Sequence, residues 1–367
     1  MNFYFKTKQL CVGYNKKTVV KDLEIGINRG EILTLIGPNG AGKSTVLKSI
    51  ARQLSLVAGI VMIDKQNLAD IPGELLSQKM AVVLTDKIKT EMMTCEDVVA
   101  TGRYPYTGRF GILSKYDYEI VADSMELVHV TEIKDKDFTQ ISDGQRQRVM
   151  LARAICQEPE IIILDEPTSY LDVKYKLEFL SVLQDMCCKK GLTVIMSLHE
   201  LELADRVSDK ILCVNGEYAG SFGKPEEIFK SGYISELFGI SMGSFDEENG
   251  NMELDAPTGE CLTFVIAGGG CGRNVYRKLQ REAVPFATGI LYKNDLDYPS
   301  ARALSTTIYC SDAFEPIPLE IIQHAKKKLK ECTKVICCKT HFGTFEKVNE
   351  ELLQYAKDLG KEIELIN

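Results

Sequence analysis

The hydrophobic positions in the first 240 residues fall into short runs separated by longer segments of mixed polarity. The runs occupy residues 32–36, 80–84, 161–164, 194–197 and 211–214. Short apolar runs with turn residues on either side are typical of strands buried on both faces of a sheet. Helical periodicity marks the segments at 43–53, 145–156 and 174–189. The pattern therefore predicts an α/β domain over residues 1–240.

A polar, acidic segment rich in turn-forming residues follows at 241–260, and we interpret it as a linker. Beyond it, strand candidates occur as short runs at 262–267, 288–292, 307–310, 334–338 and 362–366. Helical stretches at 273–281, 318–330 and 345–358 separate these runs. The alternation predicts a second, smaller parallel α/β domain over residues 261–367.

Length and charge narrow the class of function. A chain of 367 residues is long enough for two domains. It carries 44 basic and 52 acidic residues, a formal net charge of −8. We expect no nucleic-acid partner, because a phosphate backbone needs a basic face. We also expect no secretory signal and no membrane span, because the chain has neither a leader pattern nor a long apolar stretch.

The twelve cysteines contain no C-x-x-C spacing. We expect reduced thiols in a cytoplasmic setting, since disulfide frameworks belong to small secreted domains. Six of the cysteines lie beyond residue 260, together with His324 and His341. The spacing of these cysteines and histidines does not match a haem or iron motif. We therefore interpret the cysteines as buried or incidental thiols.

A phosphate-binding loop follows the apolar run at 32–36. The residues from Gly37 to Ser44 read G-P-N-G-A-G-K-S and match G-x-x-x-x-G-K-[ST]. Glycines there let backbone N–H groups turn towards phosphate oxygens, and the helix that follows adds a partial positive charge. We expect Lys43 to reach the β- and γ-phosphates and Ser44 to ligate Mg²⁺. The expected ATP-binding residues of this loop are Gly37, Asn39, Gly40, Ala41, Gly42, Lys43, Ser44 and Thr45.

Two carboxylates end the apolar run at 161–164, where the sequence continues with Asp165 and Glu166. Ligands of open α/β sheets bind at the carboxyl ends of the strands. We therefore expect Asp165 to hold Mg²⁺ through water and Glu166 to polarise the attacking water as general base. Alternatively, the two carboxylates are only solvated charges at the start of a loop. The presence of a phosphate-binding loop in the same chain favours the catalytic interpretation.

Further motifs in order resemble those of the ATP-binding cassette (ABC) ATPases over about residues 1–240. I-S-D-G-Q at 141–145 is similar to the family's L-S-G-G-Q signature, and P-T-S-Y-L-D at 167–172 resembles its D-loop. The resemblance implies a P-loop NTPase fold with a RecA-like core and a helical subdomain, followed here by a Rossmann-like domain.

The resemblance also assigns roles to single residues. It implies that Ser142, Gly144 and Gln145 grip the ATP held by a second copy, with Asp172 aligning the two sites of a homodimer. His199 would contact the γ-phosphate and Tyr14 would stack on adenine. Taken singly, Tyr14 could equally be a packing residue and His199 a structural one.

Two positions depart from the family pattern. Asp143 stands where relatives have glycine, and its carboxylate would weaken ATP binding unless it points away from the phosphates. A gap-free count places Thr85 at the position of a glutamine that contacts Mg²⁺, with Asp86 next to it. Because threonine is shorter, we expect any metal contact of Thr85 to pass through water or through Asp86.

The segments at 93–98 and 102–105 (G-R-Y-P) are similar to those of ATPases from importers of ferric siderophores, haem and cobalamin. In such systems this region docks on membrane permeases. The resemblance implies a motor subunit on the inner face of the plasma membrane, with permeases as partners and a substrate-binding protein acting indirectly. Alternatively, Arg103 and Tyr104 only pack within the loop.

The second domain opens with a glycine turn, Gly268 to Gly272, between an apolar run and a helical stretch. Such a turn favours an anion or nucleotide site, although it departs from G-x-G-x-x-G. Asn294, Asp295, Asp297 and Asp312 follow later apolar runs and could surround the same crevice, or serve only as turn residues. We expect a regulatory, ligand-binding domain; a non-transport ABC ATPase with such a sensor is the alternative function.

Overall fold

The computed structural model describes residues 3–15, 17–84, 92–230, 232–247 and 250–366. The chain divides into two compact units, Met1–Phe238 and Gly239–Asn367. In the ranges just given, no helix combines the length and the apolar character needed to cross a membrane.

The first unit is a mixed α/β structure. Its strands, in chain order, are β1 (Phe5–Tyr14), β2 (Lys17–Leu23), β3 (Gly26–Ile27), β4 (Ile32–Ile36), β5 (Ala58–Ile63), β6 (Gln66–Asn67), β7 (Met80–Val83), β8 (Ile161–Leu164), β9 (Thr193–Ser197), β10 (Lys210–Val214) and β11 (Ala219–Gly223). Its helices are α1 (Lys43–Ile50), α2 (Gly73–Lys79), α3 (Cys95–Ala100), α4 (Lys115–Leu127), α5 (Asp143–Cys156), α6 (Val173–Lys190), α7 (Leu201–Val207), α8 (Pro225–Ile228) and α9 (Tyr233–Phe238).

The central sheet has six strands in the order β11-β10-β4-β9-β8-β7, and all neighbours are parallel except β11 and β10. Every predicted apolar run of this domain becomes one of these strands. Strands β4, β9 and β8 lie side by side, so their carboxyl ends meet at one edge. That edge carries the phosphate-binding loop, His199 and the two carboxylates.

A second sheet of the first unit is antiparallel, in the order β2-β1-β5-β6, with β3 also paired to β1. One apolar core joins it to the central sheet, with Phe5, Leu35 and Ile195 fully buried. The helices α3, α4 and α5 pack against one another as a helical region. The fold of the first unit is thus the P-loop core with a helical subdomain implied by the motifs.

The second unit is a doubly wound α/β fold. Its strands are β12 (Ser244–Asp246), β13 (Asn251–Glu253), β14 (Thr263–Ile266), β15 (Phe286–Tyr292), β16 (Thr307–Ser311), β17 (Lys334–Cys337) and β18 (Glu362–Leu365). Its helices are α10 (Arg273–Arg281), α11 (Tyr298–Leu304), α12 (Leu319–Glu331) and α13 (Lys347–Asp358). The five strands β16-β15-β14-β17-β18 form a parallel sheet in that order. Apolar clusters on both faces bury α10 and α11 on one side and α12 and α13 on the other.

The segment interpreted as a linker contains structure. Strands β12 and β13 pair as an antiparallel hairpin within residues 241–260. Glu253 holds it to the second unit, because Arg277 donates to its carboxylate at 2.7 Å and Ser300 donates at 2.8 Å. The polar composition that favours a linker therefore also fits a short exposed hairpin fixed by one buried carboxylate.

Candidate functional site

The turn between β4 and α1 has the backbone that a phosphate-binding loop needs. Gly37, Gly40 and Gly42 have φ values of 146°, 80° and 104°, which side-chain-bearing residues rarely adopt. At Gly37 a Cβ atom would lie 2.0 Å from the carbonyl oxygen of Val214, so only glycine fits. Gly42 is the N-cap of α1, and no side chain caps this helix. Its first N–H groups are therefore left to an external acceptor such as phosphate.

Lys43 is 5% exposed and folds back over the loop. Its ammonium donates to the carbonyl oxygens of Gly37 at 2.7 Å and Pro38 at 3.1 Å. Burial lowers the pKa of Lys43, and the nearby carboxylates of Glu166 and Asp165 oppose that effect. A triphosphate bound over the loop would give this buried cation anionic partners.

Asp165 and Glu166 follow β8 and are joined through Ser197 at the end of β9. Ser197 donates its hydroxyl to Asp165 Oδ1 at 2.7 Å and accepts the backbone N–H of Glu166 at 2.9 Å. Asp165 is 1% exposed. Ser197 did not emerge from the sequence as a site residue, because it reads as the last residue of an apolar run. Only the pairing of β8 with β9 brings it to the carboxylates.

Glu166 and His199 contact each other directly. His199 Nε2 lies 2.6 Å from Glu166 Oε1. Glu166 has a φ of 50°, an uncommon backbone conformation for a residue with a side chain. Ser169 Oγ lies 3.4 Å from the other carboxylate oxygen. An acid and an imidazole in contact beside the phosphate-binding lysine can together orient and deprotonate a water.

Tyr14 lies next to Thr45, a residue in the first turn of α1. The Thr45 hydroxyl donates to the Tyr14 phenol oxygen at 3.4 Å, and Tyr14 is half-exposed. The ring is thus free to stack on a base beside the first turn of α1. Asn39 and Gly40 are exposed at the tip of the loop, and Ala41 is buried beneath it.

The signature residues form the start of α5. The Ser142 hydroxyl accepts the N–H of Gln145 at 3.2 Å, and the Gln145 side-chain oxygen accepts the N–H of Ser142 at 3.1 Å, which together form a capping box. The Asp143 carboxylate accepts from Arg146 at 2.5 Å, so its charge is paired. Asp143 lines the same cleft as Ser142, so its effect on ATP binding stays a prediction.

An open cleft of about 490 Å³ joins the signature to the D-loop. Its lining includes Ser142, Gly144, Gln145, Tyr170 and Asp172. A Cβ at Gly144 would lie 3.1 Å from the Tyr170 carbonyl oxygen, which shows how closely the two segments approach. Asp172 caps α6 by accepting the N–H of Tyr175 at 3.0 Å.

The oxygen donors of Ser44 and Asp165 suit Mg²⁺, which takes few protein ligands and completes its shell with phosphate and water. No cluster of three or more His, Cys, Asp or Glu side chains able to hold a metal occurs in the described parts of the chain. Two oxygen ligands are enough for a Mg²⁺ ion that is bound together with a nucleotide. Thr85 and Asp86, the other candidates for metal contact, lie outside the described residues.

Arg103 is not an exposed docking residue. It is 3% exposed and paired with Asp117 at 2.8 Å and Glu158 at 2.9 Å. Gly102 packs so closely that a Cβ would lie 2.3 Å from the Arg153 carbonyl oxygen. The G-R pair thus fastens its loop to α4 and α5, while Tyr104 remains 57% exposed.

The glycine turn of the second unit does not offer an open anion site. The Asp297 carboxylate accepts the N–H groups of Gly270, Gly272 and Arg273 at 2.9–3.1 Å. Asp295 accepts the N–H of Gly269 at 2.9 Å. Carboxylates of the chain itself therefore fill the place expected for a phosphate. Asp312 does not join them, because it pairs with Lys293 at 2.5 Å.

Comparison with known proteins agrees with this geometry. Residues 20–169 match the ABC transporter family, and residues 286–367 match the MJ0874 family. The uncharacterised ABC transporter ATP-binding protein MJ0873 of Methanocaldococcus jannaschii is 42% identical over 287 residues, which cover 78% of this chain and 99% of that protein. The petrobactin import ATP-binding protein FpuD of Bacillus anthracis is 34% identical and aligns over 64% of this chain and 85% of its own length.

A solved structure gives the same result. An ABC transporter classed as metal-chelate type, in an inward-facing conformation, matches with a TM-score of 0.58 and 26% identity over 66% of this chain and 93% of the matched chain. The 42% identity to MJ0873, over 78% of this chain and 99% of that protein, shows membership of the same family and not only a shared fold. This chain belongs to the ATP-binding proteins of ABC transporters, which bind and hydrolyse ATP.

Proposed function

We propose that this chain is the ATP-hydrolysing motor of an importer for a chelated metal, namely an iron–siderophore complex, haem or cobalamin. The relative FpuD carries petrobactin import in its name, and the matched transporter structure is of metal-chelate type. In this proposal two copies act as a dimer on the inner face of the plasma membrane, held there by permease subunits and served indirectly by a substrate-binding protein.

The contact between Glu166 and His199, beside Lys43, is the observation that carries the hydrolytic part of the proposal. Lys43 and the free N–H groups of the loop hold the β- and γ-phosphates. Glu166 takes a proton from the attacking water, and His199 orients both Glu166 and the γ-phosphate. Tyr14 stacks on the adenine ring.

Mg²⁺ would be held by the Ser44 hydroxyl and, through water, by Asp165. When bound, it supplies positive charge that neutralises the phosphate oxygens during transfer. Ser197 keeps the Asp165 carboxylate aimed towards the loop, since its hydroxyl donates to Oδ1 at 2.7 Å.

The cleft between Ser142 and Asp172 supports the dimer part of the proposal. It is open, polar and large enough at about 490 Å³ to receive a triphosphate held by a second copy. The start of α5 places backbone N–H groups there, next to the Ser142 hydroxyl. Gly144 and Gln145 complete the grip, and Asp172 faces the same cleft.

Exposed apolar side chains support a membrane-protein partner. Tyr104, Phe110, Ile112 and Tyr116 are each more than half-exposed and lie close together in sequence, around the start of α4. A cluster of exposed aromatic residues is typical of protein interfaces. Permease subunits that co-purify with the full chain, followed by transport assays with chelated iron and cobalamin, would identify the cargo.

Replacing Glu166 by Gln tests the hydrolytic assignment. We expect kcat for ATP hydrolysis to fall at least about 100-fold, because the amide cannot accept the proton. ATP binding should persist, since Lys43 and the loop are unchanged. Glu74→Gln, an exposed acid in α2, is the matched control and should leave kcat unchanged. Hydrolysis by Glu166→Gln at the wild-type rate would remove Glu166 from the mechanism.

A further inference from the structure

A carboxylate next to His199 joins three segments of the site. Glu200 Oε2 accepts the hydroxyl of Thr168 at 2.9 Å, and Glu200 Oε1 accepts the ammonium of Lys176 at 2.6 Å. Thr168 lies two residues after Glu166, and Lys176 lies in the first turns of α6, which Asp172 caps. Glu200 itself comes directly before α7.

We propose that Glu200 is a positioning residue that holds His199 against Glu166 and ties both to the helix start carrying Asp172. This inference rests on the proposed function, because it assigns Glu200 a role through residues placed in that mechanism. The chemistry it serves is the alignment of the attacking water on the γ-phosphate of ATP.

The burial of these groups makes the link rigid. Thr168 is 1% exposed, and the side chains of Lys176 and Glu200 are 24% and 31% exposed. Burial by itself raises the pKa of Glu200, but hydrogen bonds from Lys176 and Thr168 outweigh it and hold the pKa below its usual value. Glu200 is therefore ionised at neutral pH and accepts both bonds in full.

The link matters because His199 follows β9 and Glu166 follows β8, on separate loops. Their 2.6 Å contact is one bond between two loop ends. The bond from Thr168 to Glu200 is a second connection between the same loops. It lies two residues after Glu166 on one loop and one residue after His199 on the other. Ser197 joins the two strand ends before the loops begin, and the bond from Thr168 to Glu200 joins the loops again beyond His199 and Glu166. The His199–Glu166 pair is therefore held from both sides.

Glu202 supplies a matched control on the same helix. It is also a glutamate with a basic partner, Arg206, at 2.7 Å. Both of those side chains are at least 60% exposed, and neither reaches the loops of the site. An effect of lost helix charge should therefore appear equally in Glu202→Ala and in Glu200→Ala, whereas an effect on the loops should appear only in the latter.

The test measures steady-state ATP hydrolysis by the full chain carrying Glu200→Ala, Glu202→Ala or Thr168→Val. For Glu200→Ala we expect kcat to fall about 10- to 100-fold, as misplaced catalytic groups do, with KM for ATP changed less than about threefold. Thr168→Val removes only the hydroxyl donor and should lower kcat in the same direction by a smaller factor. Glu202→Ala should match the wild type.

A double-mutant cycle separates positioning from general structure. In a His199→Ala background, Glu200→Ala should change the residual single-turnover rate less than about twofold, because the residue it positions is gone. A full additional 10-fold loss there would overturn the proposal, as would wild-type kcat in both Glu200→Ala and Thr168→Val. Glu166→Gln tests the underlying mechanism separately: if that variant hydrolyses ATP at the wild-type rate, the assignment of Glu166 as general base fails, whatever the result for Glu200→Ala.

Discussion

The chain builds the same local turn twice, once in each unit, and completes it differently. Gly37 and Gly268 each follow a central parallel strand, and both have a φ of 146°. In each turn a lysine ammonium donates to the carbonyl oxygen of that first glycine, Lys43 at 2.7 Å and Lys339 at 3.2 Å. Glycine also precedes the helix in both.

The difference lies in what accepts the N–H groups at the start of the helix. No side chain caps α1, whereas Asp297 accepts three N–H groups around the start of α10. Asp297 is 0% exposed, so its carboxylate is an internal substitute for an anion. A glycine turn between strand and helix therefore does not by itself indicate a ligand site. The residues that follow the neighbouring strand determine whether the N–H groups of the turn are available to a ligand.

Removing the lysine charge is the strongest way to separate the two turns. Lys43→Met should lower ATP hydrolysis at least about 100-fold, because a buried cation aimed at the phosphates is lost. Lys339→Met removes the equivalent charge from the filled turn and should leave hydrolysis within about twofold of the wild type. Steady-state phosphate release from the full chain measures both. Equal losses in the two variants would contradict the distinction.

Removing the Asp297 carboxylate should make the second turn resemble the first, because its N–H groups then lack an acceptor within the chain. Asp297→Ala leaves three N–H groups without their charged acceptor, and we expect local opening of α10 to become easier by roughly 3 kcal/mol. Hydrogen–deuterium exchange of the α10 peptides measures this. Asp312→Ala removes the exposed partner of Lys293 and should leave exchange of the α10 peptides unchanged.

The same exchange measurement in the presence of inorganic phosphate tests whether the turn can bind an anion. Phosphate should slow exchange in Asp297→Ala by occupying the freed N–H groups, and it should leave the wild type unchanged, because Asp297 already fills the place. Protection of α10 by phosphate in the wild type would show that the second turn is an open anion site after all.

Periodicity predicted the inner parallel strands of both units, such as β8 and β14, because strands buried on both faces are continuous apolar runs. The edge strands β16 and β18 are only partly buried, and the alternation of strands with helices carried their prediction. Periodicity could not predict β1, whose residues alternate irregularly between the interior and solvent. Nor could it predict the filling of the second turn, since Asp297 lies 24–27 residues from the N–H groups it accepts. Arg103 is a similar case: its partners Asp117 and Glu158 are distant in sequence, so the motif looked like an exposed surface.

The thiol in the second turn gives the smallest and most local prediction. A hydrogen bond from the Cys338 thiol lowers the pKa of Cys271 to about 7, while burial and the same contact raise the pKa of Cys338. Cys271 is partly exposed and Cys338 is buried. Because the thiolate is the reactive form, alkylation of Cys271 should be about tenfold faster at pH 8 than at pH 6, with its midpoint near 7.

Peptide mass spectrometry after brief iodoacetamide treatment follows each cysteine separately. Cys338→Ser replaces the thiol with a smaller hydroxyl that reaches Cys271 less well. The midpoint pH of Cys271 alkylation should therefore move upwards. A wild-type midpoint near 8.5, the ordinary value for cysteine, would contradict the contact.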